Sequence, residues 1–129
     1  EYVGMGRTEE GLKTALKLLK DIRKEFETNL FIPGSTEGVN IELEKALRLN
    51  DFITMGELIA YDALNRNESC GGHFREEYQT EEGEAKRDDE NYFYVSCWEY
   101  QGSDDVAPVL YKEPLVYEAI KVQTRNYKS

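Results

Sequence analysis

Residues 40–66 read NIELEKALRLNDFITMGELIAYDALNR, and this stretch decides the fold. Asn40 is a favourable N-cap, and apolar side chains then recur at the three- and four-residue spacing of a helix. They cover more than one face, and a helix that is apolar on several sides must be contacted on several sides. The stretch therefore predicts a long helix with at least two packing partners. Its apolar positions are Leu43, Ala46, Leu47, Phe52, Ile53, Met55, Leu58, Ile59, Ala63 and Leu64.

The first partner is a helix that begins after Thr8. Thr8 is a suitable N-cap, and Glu9 and Glu10 fall in the first turn, where the helix dipole favours acids. We expect this helix to end near residues 29–32, before Pro33 and Gly34, and to run antiparallel to the second helix. Its apolar positions are Leu12, Ala15, Leu16, Leu19, Ile22 and Phe26.

Two helices rarely close a core alone, so the sequence favours a three-helix arrangement. Tyr2, Val3 and Met5 are interpreted as the end of the missing helix, of which this chain contains only a remnant. The chain does not begin with Met, and we expect it to be a piece of a longer protein.

The character of the sequence changes after residue 66. Residues 67–91 contain nine acids against three bases, a net charge of −6, with three glycines and no helical period. This composition predicts an ordered but irregular acidic loop. Residues 92–100, YFYVSCWEY, are typical of a strand, and residues 106–111 are expected to return as its hairpin partner, with Pro108 at the start or on an edge. The single domain, 1–129, then divides into a helical bundle (1–66), the loop (67–91) and a strand extension with a basic tail (92–129).

The composition excludes several functions. The 129 residues carry a formal net charge of −10, which argues against nucleic acid and against an anionic membrane surface as partners. No run of 18 apolar residues is present, and the first residues do not have the pattern of a signal peptide. Cys70 and Cys97 are too few for a disulfide scaffold, so two unpaired thiols in a reducing compartment are expected.

The single histidine, His73, lies in RNESCGGHFR, residues 66–75. Cys70 and His73 alone are too few ligands for a stable zinc site. A Cys–His nucleophile pair would also need a third, orienting group, which no pattern here supplies. The remaining interpretation is structural, with glycines forming a tight turn and ion pairs of Arg66, Glu68 and Arg75 fixing the loop.

The stretch from Arg66 to Glu77 resembles a signature found near the C-terminus of the succinate dehydrogenase and fumarate reductase flavoprotein family, Arg-x-Glu-Ser-Arg-Gly-x-His-x-Arg-x-Asp. Glu77 stands in for the final acid, and Cys70 replaces the arginine that follows the serine. If that arginine contacts a neighbouring domain, this protein must do so differently. The matching residues are Arg66, Glu68, Ser69, Gly71, His73 and Arg75.

Two further segments carry the resemblance. Arg87, Asp88 and Asp89 open a block, RDDEN, that the family places before an aromatic residue, here Tyr92. Residues 3–7, VGMGR, resemble the family's entry into the first helix. The resemblance spans nearly the whole chain and is weakest after about residue 107.

The resemblance implies a mainly α fold, namely a spectrin-repeat-like antiparallel bundle of the three-helix type, with its first helix truncated and a C-terminal β-hairpin extension. It implies that the parent subunit carries FAD and interconverts succinate and fumarate in respiratory electron transfer. In the family, the flavin domain, the covalent flavin histidine, the proton-donating arginine and the dicarboxylate-binding residues all lie upstream. The chain is therefore expected to hold no cofactor, metal or catalytic residue and to be inactive alone.

The implied partners are the upstream FAD-binding domain, the iron–sulfur subunit and, indirectly, a membrane cytochrome b subunit. Such a complex lies on the cytoplasmic side of the inner membrane, whereas the chain itself is expected to be soluble and to dimerise weakly through bare apolar surface. The signature residues are expected to be structural and interdomain. Two alternatives remain open: the equivalent domain of L-aspartate oxidase or a related flavoprotein, and an unrelated helical interaction module.

Overall fold

A computed structural model of the chain describes residues 1–103 and 105–123. It is mainly α with a small antiparallel hairpin after the helices, as the sequence predicts. The elements in chain order are β1 (Gly6–Arg7), α1 (Glu9–Asn29), α2 (Ile41–Asn65), β2 (Phe74–Arg75), α3 (Asp89–Tyr92), β3 (Tyr94–Glu99) and β4 (Val109–Pro114).

Both long helices begin at the caps that the sequence predicts. The Thr8 hydroxyl accepts the N–H of Gly11 at 3.0 Å, and Glu9 and Glu10 occupy the first turn of α1. The side-chain oxygen of Asn40 accepts the N–H groups of Glu42 and Leu43 at 3.0 and 3.2 Å. These contacts satisfy donors that a helix leaves without intrahelical partners at its N-terminus.

The two helices pack antiparallel around a small core. Leu19 of α1 lies against Gly56 of α2, and one turn further along α1 the guanidinium of Arg23 donates to Thr54 Oγ1 at 3.2 Å. The opposite order of these contacts on the two helices fixes their direction. The core consists of Leu12, Ala15, Ala60 and Ala63, with Val3, Leu16, Leu19 and Leu64 packed against it.

The hairpin covers a second side of α2. Strands β3 and β4 pair antiparallel, with Tyr94 opposite Pro114 and Glu99 opposite Val109. The indole Nε1 of Trp98 donates to Asp62 Oδ1 at 2.7 Å, and its ring meets Tyr61 edge-on at a centroid distance of 5.0 Å. The sequence predicted that a third helix packs against α2, and strand β3 takes part of that place.

The interpretation of Tyr2, Val3 and Met5 as the end of a helix is wrong. Residues 2–5 form turns and bends that lead into β1, and the described residues contain two long helices rather than three. The physical reason is that Gly6 and Arg7 are held extended, because β1 pairs in parallel with β2, Gly6 opposite Phe74 and Arg7 opposite Arg75.

The second strand of the hairpin also lies three residues later than predicted, at Val109–Pro114 instead of 106–111. Proline cannot donate to a ladder, and β4 accordingly begins just after Pro108. Of the basic tail, residues 124–129 lie outside the described residues. No helix in the described ranges is long and apolar enough to cross a bilayer.

The acidic loop is irregular and held by backbone hydrogen bonds. The N–H of Thr80 donates to Glu84 O at 2.8 Å, and the N–H of Lys86 donates to Tyr78 O at 3.1 Å. Gly83, with a φ of 81°, closes this turn in a conformation that other residues avoid. The loop then ends in α3.

Replacing Thr8 with alanine should lower the free energy of unfolding by about 1 kcal/mol, because the N-terminal donors of α1 lose their side-chain acceptor. Chemical denaturation followed by circular dichroism measures this. Thr28→Ala is the matched control, since Thr28 lies near the other end of α1 and only donates back to Lys24 O. An equal loss in both variants would show that the Thr8 cap has no special role.

Candidate functional site

The signature loop, residues 66–77, lies at the end of the bundle where α1 begins and α2 ends. Three of its polar residues are almost fully buried: Glu68 is 3% exposed, and Ser69 and Arg75 are 0% exposed. Burying charges is costly unless they are paired and hydrogen-bonded. The hydrogen-bond partners of these side chains therefore indicate whether the loop is structural or binds a ligand.

Ser69 and the glycines shape the loop. The Ser69 hydroxyl accepts the N–H of Arg75 at 2.8 Å and donates to Arg75 O at 3.1 Å. Between them Cys70 and His73 bond backbone to backbone at 2.8 and 3.1 Å. Gly71 has a φ of 59°, which suits the first central residue of such a tight turn. These hydrogen bonds fix the backbone positions of His73 and Arg75.

Arg75 closes the C-terminal end of α2. Its Nη1 donates to Ala63 O and Leu64 O at 3.1 and 3.3 Å, and its Nε donates to Glu77 Oε2 at 3.0 Å. Carbonyls in the last turn of a helix have no intrahelical partners and carry partial negative charge. The guanidinium supplies both the missing donors and the opposite charge, and it lies 5.5 Å from the Tyr78 ring centroid.

Glu77 has the corresponding role at the N-terminus of α1, where it supplies a negative charge and a hydrogen-bond acceptor. Its Oε1 accepts the N–H of Glu9, in the first turn of that helix, at 2.6 Å. Burial acts to raise the pKa of Glu77, but the N–H groups of Glu9 and of Glu77 itself and the Arg75 guanidinium outweigh burial and lower the pKa. One Arg–Glu pair thus neutralises two helix ends of opposite sign. Sequence reasoning had grouped Arg75 with Arg66 and Glu68.

Arg66 and Glu68 join the loop to the hairpin and to α3. Arg66 Nε donates to Glu68 Oε1 at 2.8 Å, its Nη2 bonds the carbonyl of Tyr92, and its guanidinium lies 5.2 Å from the Tyr94 ring centroid. The other oxygen of Glu68 accepts the N–H of Asp88 at 2.9 Å. Glu68 is therefore a buried bridge between the two halves of the signature.

His73 lies between two arginines from different elements. Its Nε2 is 2.9 Å from Arg66 O, and its Nδ1 is 3.0 Å from Arg7 Nη1. Burial lowers the pKa of His73, the hydrogen bond to Arg66 O acts to raise it, and the charges of Arg7, Arg75 and Arg66 lower it further. The ring is therefore neutral near neutral pH.

The second part of the signature organises the short helix α3. The Asp88 carboxylate accepts the N–H of Asn91 at 3.2 Å and so caps α3. Arg87 pairs with Asp89 at 2.9 Å and donates to Gln123 O at 3.1 Å. These residues hold the loop and the segment after β4 together.

A shallow cleft of about 560 Å³ opens beside the loop. Arg7, Asp62, Arg66, Cys70 and His73 line it, together with apolar residues of α2 and β3. Its polar side chains mostly bond one another or the backbone. In residues 1–103 and 105–123, no group of three or more His, Cys, Asp or Glu is placed to hold a metal ion, and Cys70 and Cys97 are both free and exposed.

The structure brings all nine signature residues, from Arg66 to Asp89, into one connected region. Sequence reasoning missed Arg7 as the partner of His73, the carbonyls at the end of α2 as partners of Arg75, and Glu77 as the acceptor of the Glu9 N–H in the first turn of α1. The segment 3–7 resembled the family's, which was a signal for Arg7. Nothing in the sequence indicated the helix-end partners, because they are backbone atoms, which any residue type supplies, at separations of 11 to 68 residues.

One known protein family matches nearly the whole chain. Residues 1–127 match the family described as the fumarate reductase flavoprotein C-terminal region. The chain belongs to this family. The match includes the whole signature loop and the hairpin.

Among curated proteins, the chain is 30% identical over 115 residues to the fumarate reductase flavoprotein subunit of Helicobacter pylori, covering 89% of this chain and 15% of that subunit. It is 34% identical over 78 residues to the chloroplastic L-aspartate oxidase 2-b of Nicotiana tabacum, covering 60% of this chain and 12% of that enzyme. The chain therefore spans about an eighth to a seventh of these relatives.

The fold is shared with a solved structure, a variant of FrdA from E. coli quinol fumarate reductase. The two superpose with a TM-score of 0.75 at 22% identity, over 94% of this chain and 20% of that one. At this identity the comparison shows the architecture alone.

Arg75→Ala should cost about 3 kcal/mol or more of unfolding free energy, because it removes a buried guanidinium and leaves the α2 carbonyls and Glu77 without their donor. Thermal or urea denaturation measures the loss. Arg48→Ala is the matched control: Arg48 forms an exposed pair with Glu44 on α2, and its loss should cost at most about 0.5 kcal/mol.

Arg75→Lys should recover only part of the loss, since an ammonium cannot bond the helix carbonyls and the carboxylate in the same fork geometry. If the Arg75→Ala variant is as stable as the native chain, the role given to Arg75 is wrong.

Proposed function

We propose that this chain is a non-catalytic packing and docking domain of the flavoprotein subunit of a fumarate reductase or succinate dehydrogenase. One observation carries the proposal: four charged side chains of the signature loop bond the chain's own backbone and one another. Arg66, Glu68, Arg75 and Glu77 each have a structural partner. A catalytic site would instead direct such groups into a pocket that admits substrate.

The docking part of the proposal rests on an uncovered face of α2. Phe52, Met55 and Ile59 recur at three- and four-residue spacing, so they share one face, and they are 67%, 52% and 47% exposed. Val95 of the neighbouring strand β3 extends this apolar surface at 49% exposure. An apolar face of this kind is typical of a surface that another part of the protein covers.

We propose that two elements of the longer subunit share this surface: the flavin-binding domain, and the helix that would complete a spectrin-repeat-like bundle. The subunit would carry FAD, and its reaction, the interconversion of succinate and fumarate, would take place on residues outside this chain. Assembly with an iron–sulfur subunit, at a membrane complex, belongs to the same proposal. Without these partners, two copies of the chain would pair weakly through the same face.

A second candidate is the equivalent domain of L-aspartate oxidase. The similarity to the tobacco enzyme favours it, although that match covers 60% of this chain against 89% for the Helicobacter pylori subunit. Turnover of the longer flavoprotein distinguishes the two. Reduction of fumarate by an electron donor supports the first candidate, whereas oxidation of L-aspartate supports the second.

The purified chain should contain no flavin and should show neither activity, because the groups that bind and convert the substrate lie elsewhere. Flavin absorbance and fumarate-dependent oxidation of a reduced dye measure this, beside the longer subunit as a positive control. Stoichiometric flavin or turnover in the chain alone would place the active site within it and overturn the proposal.

Phe52→Asp and Ile59→Asp should weaken association of the chain with the flavin domain at least about tenfold, because each places a charge on the apolar face. The two domains, expressed separately, are mixed and titrated by calorimetry or fluorescence anisotropy. Asn50→Asp introduces the same charge on another face of α2 and is the control. If all three variants bind alike, this face is not the docking surface.

A further inference from the structure

We propose that His73 is a proton-operated latch, which holds the N-terminal segment, residues 1–7, against the signature loop near neutral pH and releases it in mild acid. This latch lies within the chain and does not depend on the identity of the docking partner. It rests on the bonding of the imidazole ring and on the strand that this bonding secures.

Both ring nitrogens of His73 have partners whose chemistry fixes the proton. A backbone carbonyl only accepts, so Nε2, 2.9 Å from Arg66 O, must carry the hydrogen. A guanidinium only donates, so Nδ1, 3.0 Å from Arg7 Nη1, must be the acceptor. This arrangement is available to the neutral ring alone. A second proton on Nδ1 would face the N–H of Arg7 and abolish that bond.

The charges around the ring work in the same direction. Arg7 of β1, Arg66 at the end of α2 and Arg75 of β2 all disfavour a positive imidazole. Asp62 is the one carboxylate among the described residues that line the cleft, and it accepts the Trp98 N–H. Glu68 is held by Arg66 and the N–H of Asp88. The other titratable groups lining the cleft are Cys70 and Tyr94.

Release of Arg7 would act on a short strand with few other bonds. Besides its contact with His73, the Arg7 side chain donates to Gly4 O at 2.9 Å, within its own segment. Strand β1 has two residues, Gly6 and Arg7, paired with β2. One further hydrogen bond, from Glu76 N to Arg7 O at 2.8 Å, extends this pairing. Val3 packs against the helical core, and the Tyr2 side chain lies beside Gly11 of α1. A local opening of residues 1–7 can therefore occur without loss of the helix pair.

The direction of the pH effect follows from linkage. In the closed form, burial and the charges of Arg7, Arg75 and Arg66 hold the pKa of His73 below its ordinary value of 6.5, and opening of residues 1–7 removes Arg7 and part of that burial, so the pKa moves back towards 6.5. Well above pH 6.5 both forms are neutral and the latch has its full stability. As the pH falls below 6.5 the open form takes up the proton first, so the closed form loses stability until its own pKa has been passed. The total loss is tenfold for each unit that separates the two pKa values.

The test uses NMR on the intact chain between pH 7.5 and 5, a range set around the ordinary pKa of histidine. His73 is the only histidine, so its ring signal is unambiguous. Hydrogen exchange of the Glu76 amide, corrected for the intrinsic effect of pH, reports the β1–β2 contact, and the Ala60 amide in α2 serves as the reference. We expect Glu76 protection to fall by at least severalfold with the His73 titration, while Ala60 protection stays constant.

Two variants make the test specific. His73→Gln keeps a donor and an acceptor but does not titrate, so its Glu76 protection should be independent of pH over this range. Arg7→Gln removes a neighbouring charge, so the pKa of His73 should rise towards 6.5. In the native chain, Glu76 protection that stays constant through the His73 titration overturns the proposal, and so does a parallel fall at Ala60. A pH dependence that persists in His73→Gln would also overturn it, since another group would then be responsible.

Discussion

The Arg75–Glu77 pair is the contact on which the rest of the structure depends. Two antiparallel helices place the N-terminus of one beside the C-terminus of the other, which brings unpaired N–H and carbonyl groups of opposite partial charge to one end of the bundle. Arg75 bonds the carbonyls of Ala63 and Leu64, and Glu77 accepts the N–H of Glu9. Because the two side chains also bond each other, the loop, α1 and α2 are held at one point.

The importance of this polar contact follows from the small size of the apolar core. Only five hydrophobic residues are buried among the described residues, and three of them are alanines. A core of this size contributes little transfer free energy, so the chain relies more than most on satisfied polar contacts. The same reasoning explains why a loop of irregular backbone can be well ordered. Glu68, Ser69 and Arg75 fix it from within.

The C-terminal end of α2 differs from the middle of the helix in a way that bears on the proposed function. At the C-terminal end, the polar side chains are bonded internally, and Trp98 of the hairpin donates to Asp62. Towards the middle of the helix, Phe52 and Met55 remain exposed on a face that no described element covers. This contrast between satisfied polar groups and an exposed apolar face supports the proposal that the chain packs against a larger body.

The sequence by itself determined the elements whose causes are local. The caps Thr8 and Asn40 and the apolar spacing predicted both helices, because capping and periodicity depend on neighbours within one or two turns. Likewise, the spaced residues of the signature identified the family. Only the tertiary structure decided that residues 2–7 form turns and a two-residue strand instead of a helix end, that a hairpin covers part of α2, and that Arg75 bonds helix carbonyls. Those outcomes depend on backbone atoms that come together from distant parts of the chain, and backbone atoms have no signature in a sequence.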